Sequence, residues 1–234
     1  MDILCTICAR SGSKGVKNKN IITINKKPLI YYTIKQAKKS LLFANIVLST
    51  DSLKISKIGK KYGADVFFLR PKSLSRDTTG KIPAIRHALI MSEKYYNKYF
   101  DYIIDLDVTS PLRLPLDIKR AFKQFIKTKS QILISANRSR RNPYFNAVEK
   151  RNNKIRMVKQ PRTNIKRRQD APSVWDMNAS IYIWRRKSLL KSDNLFRNKT
   201  SIYEMPEKRS WDLDTNFDFE IIKYLIKKNF KKYA

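Results

Sequence analysis

The chain has 234 residues, and its 51 lysines and arginines against 19 acidic residues give a formal net charge of +32. Hydrophobic residues make up 42% and aromatic residues 11% of the sequence, which excludes a disordered polyelectrolyte. This length suits one α/β domain with an appendage, or two small domains. The charge favours anionic partners: nucleotides, acidic sugars, nucleic acid or a membrane surface.

The sequence predicts a cytoplasmic protein. No window of about 18 apolar residues occurs, so we expect no membrane span, and we expect no signal peptide before the first strand. Cys5 and Cys8 are the only cysteines. They lie in a predicted strand, where positions i and i+3 face opposite sides. This favours core cysteines in a reducing cytoplasm over a redox or zinc pair.

Residues 7–20 organise the chain, and they read I-C-A-R-S-G-S-K-G-V-K-N-K-N. They follow an apolar run that predicts a buried first strand. Gly12 and Gly15 allow a tight turn and a close approach to a ligand, and backbone N–H groups in such a turn can hold phosphate oxygens. Neither a Walker A loop nor the motif G-x-G-x-x-G is present. A basic surface loop is the alternative, but the position after a strand favours a triphosphate site.

Strands and helices alternate through the first half of the chain. Helices are predicted at about 28–39, 53–62, 82–96 and 116–127. The strands predicted after the first one lie at 45–49, 65–69, 102–106 and 131–136. This order indicates right-handed crossovers and a mostly parallel sheet covered on both faces. We therefore predict a three-layer α/β fold.

The alternation stops after Asn137. Residues 138–176 carry clustered arginines and short extended pieces at 144–149 and 155–157, which indicates an inserted arm. Residues 178–184 predict another buried strand, and an amphipathic helix follows Asp214 with Phe217 in its apolar set. We predict a single domain, 1–234, with 138–176 as the arm.

Acidic residues are scarce, so a close pair of them is informative. Asp212 and Asp214 precede the last helix, and on an extended segment both side chains lie on one face. Such a pair suits Mg²⁺, which is held by one or two carboxylates together with phosphate oxygens and water. Helix capping is the alternative, and it explains one residue rather than two. Asp105 and Asp107 form a second such pair, and Asp107 is a candidate to bind a metal or a hydroxyl group.

Together these stretches resemble the acylneuraminate cytidylyltransferases, also called CMP-sialic acid synthetases. The opening motif of that family is A-R-x-x-S-K-G-x-x-x-K-N, and this chain reads A-R-S-G-S-K-G-V-K-N-K-N at 9–20. The similarity covers essentially the whole chain in the same order. Its further segments are S-T-D at 49–51, R-P at 70–71, S-R-D-T at 75–78, T-S-P-L-R at 109–113, R-Q-D-A-P at 168–172, N-A-S-I-Y-I at 178–183 and D-L-D-T at 212–215.

The resemblance implies a Rossmann-like nucleotidyltransferase sheet, with an arm that packs on a partner subunit to form a homodimer. It also implies transfer of CMP from CTP to the anomeric hydroxyl of a nonulosonic acid, an acidic nine-carbon sugar, with Mg²⁺ and release of pyrophosphate. The residues carried over as nucleotide-binding are Arg10, Ser13, Lys14, Lys19, Asn20 and Arg70. The sugar-binding residues are Asp107, Arg168, Asn178 and Tyr182, and the metal ligands are Asp212 and Asp214. The catalytic candidates are Arg10, Lys14, Lys19 and Asp214.

Two departures from the family pattern bear on the sugar. Family members usually carry Q-P before T-S-P-L-R, where this chain has Asp107 and Val108. They often place a lysine near the sugar where this chain has Phe145. Together with D-M-N-A-S-I-Y-I at 176–183, these differences resemble the branch that acts on legionaminic-type sugars.

Two alternatives remain at this stage. A 3-deoxy-octulosonate cytidylyltransferase shares the reaction and the fold, but it is expected to read Q-G-D-E-P where this chain reads D-V-T-S-P. A basic nucleic-acid-binding protein would account for the charge and would show one continuous basic face. No helix-turn-helix, zinc-finger or RNP signature supports it, so nucleic acid is the less favoured partner.

Overall fold

A computed structural model of the protein describes residues 1–12, 15–160, 165–196, 199–229 and 233. Its strands are β1 (Ile3–Cys8), β2 (Thr23–Ile24), β3 (Lys27–Pro28), β4 (Asn45–Ser49), β5 (Tyr102–Leu106), β6 (Ile132–Arg138), β7 (Val148–Arg151), β8 (Lys154–Met157), β9 (Trp175–Arg185) and β10 (Thr200–Glu204). Its α-helices are α1 (Leu29–Ser40), α2 (Leu53–Lys61), α3 (Lys81–Tyr96), α4 (Pro115–Lys127), α5 (Arg186–Lys191) and α6 (Asn216–Lys228).

Six of the described strands form one sheet in the order β10-β6-β9-β5-β1-β4. The strands β4, β1 and β5 pair in parallel, as do β10 and β6. Strand β9 lies between β5 and β6 and is antiparallel to both. The prediction of a mostly parallel α/β sheet is therefore confirmed.

Alternate residues along the strands face two separate cores. Ile104 and Leu106 of β5 pack in a core with apolar residues of α1, α4 and α6. Ile103 lies on the other face, in a core with residues of α3 and α5. Because both faces of the sheet are covered, the protein has the expected three layers. Cys5 and Cys8 are free thiols that contact different cores, as their spacing predicted.

The strand predicted at 65–69 is wrong. Only Asp65 makes a sheet contact there, a single parallel bridge to Val47. The two phenylalanines that follow turn into an aromatic cluster instead of continuing beside β4. Phe67 stacks on Tyr95 with a centroid distance of 4.0 Å, and this packing overrides the β propensity of the segment.

Four of these strands and α-helices were not predicted: the short strands β2 and β3, strand β10 and helix α5. Strand β10 extends the sheet beside β6. Its five residues are T-S-I-Y-E, and their alternation of polar and apolar side chains is too short to distinguish a strand from a loop.

In α6 the core positions are Ile222 and Ile226, while Phe217 is 71% exposed. The predicted apolar face of that helix is therefore wrong at Phe217.

The described part of the arm contains an antiparallel hairpin of β7 and β8. Asn152 and Asn153 join its strands with positive φ angles of 50° and 59°, which is the backbone geometry of a two-residue hairpin turn. The hairpin carries exposed apolar side chains, with Val148 61% and Ile155 64% exposed.

No helix among the described residues is both long and apolar enough to cross a bilayer.

Candidate active site

A cleft of about 530 Å³ opens beyond the carboxyl ends of β1 and β5. The chain runs from β1 to β4 on one side of β1 and later crosses to β5 on the other side. Such a reversal of strand order leaves a crevice where ligands of open α/β sheets bind. The lining includes Arg10, Lys19, Asn20, Arg70, Lys81, Asp107 and Asp214. Ser13 and Lys14, also predicted for this site, lie outside the described residues.

The loop after β1 is tied to its surroundings. A side chain at Gly15 would collide with the backbone carbonyl oxygen of Asp214, so glycine allows the loop to pack directly on the segment that carries the acidic pair. The backbone N–H and hydroxyl of Ser11 both donate to Asp51, at 2.8 Å each. The Asn20 amide donates to the Arg10 carbonyl at 2.8 Å.

Two cations of this loop are held by carboxylates that line the same cleft. Arg10 Nη2 lies 2.8 Å from Asp77 Oδ1, and Lys19 Nζ lies 2.9 Å from Asp214 Oδ1. Both positive charges therefore face the cleft from fixed positions. Partly exposed ion pairs contribute little to stability. The phosphates of an entering polyanion can therefore replace the two carboxylates as partners of Arg10 and Lys19.

Arg70 brings a nearly buried guanidinium to the cleft. Its backbone N–H donates to the Thr50 carbonyl, and its Nη2 donates to the Ser49 carbonyl at 3.3 Å. Its Nε is buried and has no hydrogen-bond partner among the described residues. Burial and the neighbouring Arg70 charge lower the pKa of His87. A guanidinium has five N–H donors, and among the described residues the Arg70 side chain has one hydrogen bond, to Ser49. Donors therefore remain for a ligand in the cleft that Arg70 lines.

Lys81 was not predicted, although it lies at the centre of the site. Its Nζ is 2.6 Å from Asp105 Oδ2 and 2.7 Å from Asp107 Oδ2. Burial lowers the pKa of Lys81, but the two carboxylates outweigh burial and raise it above its usual value. Asp107 also accepts from the Thr109 N–H and hydroxyl at 2.9 and 3.0 Å. Although burial alone would raise the pKa of Asp107, Lys81 and Thr109 hold it below its usual value.

The acidic pair before α6 is not a helix cap. Thr215 is the N-cap residue, and it exchanges hydrogen bonds with Asp218. Asp214 lines the cleft, whereas Asp212 lines a neighbouring cavity. Burial and then the Asp214 charge raise the pKa of Asp212 to about 6, so the ionised form of Asp212 is disfavoured unless a cation binds beside it.

A hard divalent cation fits these two carboxylates, because it would relieve their repulsion. Among the described residues, no group of three or more His, Cys, Asp or Glu side chains is placed to hold a metal ion. An ion at Asp212 and Asp214 would therefore need further oxygen ligands from a substrate or from water, as is usual for Mg²⁺.

Of the residues predicted to bind the sugar, only Asp107 lies in the cleft. The Asn178 side chain is buried and is bonded to Ser135 at 2.7 Å and to Ser210 at 3.0 Å. Arg168 lies in the arm, where it donates to the carbonyls of Ser139 and Arg140 and lines a separate cavity.

Tyr182 lines a second cavity, of about 270 Å³, next to the cleft. The walls of this cavity are mostly apolar and come from α3, β9 and the segment after α5. They are formed by Gly80, Lys81, Ile82, Pro83, Ile85, Tyr182, Trp184, Asp193 and Leu195. Gly80 and Lys81 line both the cleft and this second cavity.

A family model described as "Cytidylyltransferase" matches residues 4–233. The chain belongs to the cytidylyltransferase family. It is thus a nucleotidyltransferase enzyme, as the sequence motifs predicted. The nucleic-acid-binding alternative is less supported than membership of this enzyme family.

Individual relatives agree with this family. The chain is 50% identical over 225 residues to the CMP-N,N'-diacetyllegionaminic acid synthase of Campylobacter jejuni, covering 96% of this chain and 95% of that protein. It is 34% identical over 233 residues to a pseudaminic acid cytidylyltransferase of C. jejuni, covering 98% of both.

A solved structure extends the likeness to the fold. The structure of CMP:2-keto-3-deoxy-manno-octonic acid synthetase complexed with CTP has a TM-score of 0.71 to this chain. It covers 98% of this cytidylyltransferase and 100% of the other chain, at 15% sequence identity. At that identity the likeness concerns the fold alone, so the octulosonate alternative gains no support from it.

Proposed function

We propose that this cytidylyltransferase transfers CMP from CTP to the anomeric hydroxyl of a nonulosonic acid of the legionaminic type. The observation that carries the proposal is one cleft that brings together the loop cations, Arg70 and Asp214. The 50% identical relative, whose name gives N,N'-diacetyllegionaminic acid, supports the choice of sugar. Use of CTP favours the cytoplasm as the compartment.

CTP would lie along the cleft with its phosphates on the loop after β1. Arg10 and Lys19 would exchange Asp77 and Asp214 for phosphate oxygens, and Ser13 and Lys14 would complete the loop. Asn20 would hold the loop through the Arg10 carbonyl. Arg70 would use its free donor capacity on the cytidine end, because guanidinium groups bond carbonyl and phosphate oxygens well.

Asp212 and Asp214 would hold Mg²⁺ between the loop and α6. When bound, the ion would offset negative charge on the triphosphate. In the transfer itself the anomeric oxygen forms a bond to the α-phosphorus and gives up its proton to water, while the bond from the α-phosphorus to the bridging oxygen of the β-phosphate breaks. Arg10 and Lys19 would stabilise the charge that develops on the leaving pyrophosphate, and the walls of the cleft would align the two substrates.

The acceptor would occupy the space next to the cleft. The second cavity offers an apolar wall with Tyr182 and Trp184, which suits the methyl and acyl groups of a legionaminic-type acid. Its carboxylate is expected to meet a guanidinium, for which Arg168 is the candidate, since arginine binds carboxylates through two parallel hydrogen bonds.

We expect a preference of about tenfold or more in kcat/KM for N,N'-diacetyllegionaminate over N-acetylneuraminate. The first sugar carries a methyl at C9 where the second has a hydroxymethyl group, and an apolar wall offers the extra hydroxyl no partner. Pyrophosphate release with CTP and a panel of nonulosonic acids measures this. Equal rates would point to a sialic acid enzyme, and activity with the octulosonate alone would contradict the proposal.

We further propose that the enzyme is a homodimer through the arm. In one chain Arg168 lies in a different cavity from the nucleotide cleft, and Val148 and Ile155 expose apolar surface on the hairpin. Sedimentation at micromolar concentration is expected to give twice the mass of 27.6 kDa. Replacing Val148 and Ile155 together by Asp should yield monomers. Arg151→Asp, on the opposite face of the same hairpin, serves as the control for added charge. An active monomer of the wild-type protein would contradict this assignment.

A further inference from the structure

Lys81 lies in the wall between the nucleotide cleft and the second cavity. It is the first residue of α3, directly after Gly80, and among the residues described only these two line both spaces. If the nucleotide occupies one space and the acceptor the other, the reacting atoms meet beside this wall. The position of Lys81 is therefore the place where the α-phosphate and the acceptor come together.

The Lys81 ammonium is fixed by its neighbours. Asp105 and Asp107 hold it at 2.6 and 2.7 Å, and both carboxylates are anchored from behind. Thr6 donates to Asp105 at 2.8 Å, and Thr109 donates to Asp107. A side chain whose partners are all held in this way has little freedom left, so its charge needs no reorganisation when a ligand arrives.

One donor of this ammonium remains for a ligand. An ammonium group has three N–H bonds. One is donated to Asp107, and Asp105, at an ion-pair distance of 2.6 Å, takes at most one more. The Tyr182 ring lies 5.4 Å from Nζ, on the side of the second cavity. The buried Arg113 is close enough for Asp105 and Asp107 to affect its pKa, so two cations balance the two carboxylates. An anionic oxygen can therefore approach Lys81 without meeting a net negative charge.

We propose that Lys81 is a catalytic residue whose remaining N–H donates to an anionic oxygen at the point where the two substrates meet. This proposal rests on the proposed transfer of CMP to an acidic sugar. The oxygen belongs either to the α-phosphate or to the acceptor carboxylate, which is attached to the same carbon as the anomeric hydroxyl. Both sources present the same chemistry, and one set of variants distinguishes them.

The test compares Lys81→Met and Lys81→Arg with Lys94→Met, an exposed lysine in the last turn of the same helix. With CTP and N,N'-diacetyllegionaminate, Lys81→Met is expected to lower kcat/KM about 100-fold or more, as the loss of a preorganised donor does. Lys81→Arg should retain part of the activity, and Lys94→Met should match the wild type.

Binding measurements identify the source of the oxygen. CMP carries only the α-phosphate, so a contact there predicts about tenfold weaker CMP binding by Lys81→Met in calorimetry, with an unchanged KM for the acceptor. A contact with the carboxylate predicts unchanged CMP binding and a raised KM for the acceptor. Either result supports the proposal when kcat/KM falls as expected.

A purely structural role predicts different results. Lys81→Met leaves two carboxylates without their cation, so the double variant Lys81→Met with Asp105→Asn restores the charge balance. If the double variant recovers activity, or if Lys81→Met stays within about threefold of the wild type, the proposal is overturned. If the wild type turns over no nonulosonic acid, the proposed function fails, and CMP binding decides alone: unchanged binding overturns the role of Lys81, and weaker binding supports it.

Discussion

Replacing Asp214 by Asn is expected to lower turnover about 1000-fold while the protein stays folded. The lost carboxylate would be one of two that hold Mg²⁺ against the triphosphate, and a metal contributes several kcal/mol to such a transition state, where about 4 kcal/mol corresponds to 1000-fold. Asp214 is 68% exposed in its side chain, so its replacement should change the free energy of unfolding very little. Pyrophosphate release under saturating CTP measures the effect.

A matched control comes from the helix that follows Asp214. Glu220 is exposed in α6 with a side-chain exposure of 68%, and Glu220→Gln removes the same charge away from the cleft. We expect this variant to retain wild-type activity, and we expect a chelator to abolish the activity of the wild type. Turnover of Asp214→Asn near the wild-type rate, or full activity in the chelator, would rule out the metal at this pair.

Replacing Arg113 by Met is expected to lower the free energy of unfolding by about 3–5 kcal/mol, the range for breaking a buried charge pair or network. Arg113 is fully buried, and it donates to the Ser180 carbonyl at 2.6 Å and to the Thr33 hydroxyl and Asp107 carbonyl at 3.2 Å each. Methionine fills much of the space but removes a charged donor from these buried oxygens. Among the described residues, the Ser180 carbonyl keeps only the Asp107 N–H, and the Asp107 carbonyl keeps only the Thr33 hydroxyl. A hydrogen bond to a charged group contributes about 1.5–3 kcal/mol, so the loss of several of them is costly.

Urea denaturation measures this loss as a lower midpoint with an unchanged slope. Arg120→Met is the matched control, since Arg120 is exposed in α4 and its replacement should stay within about 0.5 kcal/mol. Burial lowers the pKa of Arg113 to about 10, so the guanidinium remains protonated at neutral pH. A midpoint for Arg113→Met equal to that of the control would show that the network contributes nothing.

The sequence predicted those parts of the site that depend on local spacing. Gly15 and the basic residues around it follow a buried strand, and ligands of α/β sheets bind beyond strand ends. The structure accordingly places Arg10 and Lys19 in the cleft. Asp214 was identified because acidic residues are rare in this chain, so a pair of them is conspicuous.

Other parts depend on long-range packing and could not be predicted. Lys81 is one lysine among many, and only the approach of α3 to the end of β5 distinguishes it, through contacts with Asp105 and Asp107. Arg113 could be placed from the sequence only within the family segment T-S-P-L-R, whereas its partners Thr33 and Ser180 lie far away in sequence. Residues 65–69 have strand composition, but tertiary contacts of Phe67 decide their conformation.

The place of β9 between β5 and β6 has a consequence for biosynthesis. Without β9, the strands β4, β1 and β5 form one fragment of the sheet, and β6 and β10 form another, with no shared edge. The strand that joins them comes late in the chain, after the arm. Until about residue 185 has emerged from the ribosome, the nascent chain must therefore leave unpaired the edges of β5 and β6 that β9 later covers, and such edges are prone to aggregation. The high density of lysine in this protein would keep those incomplete intermediates soluble through charge repulsion.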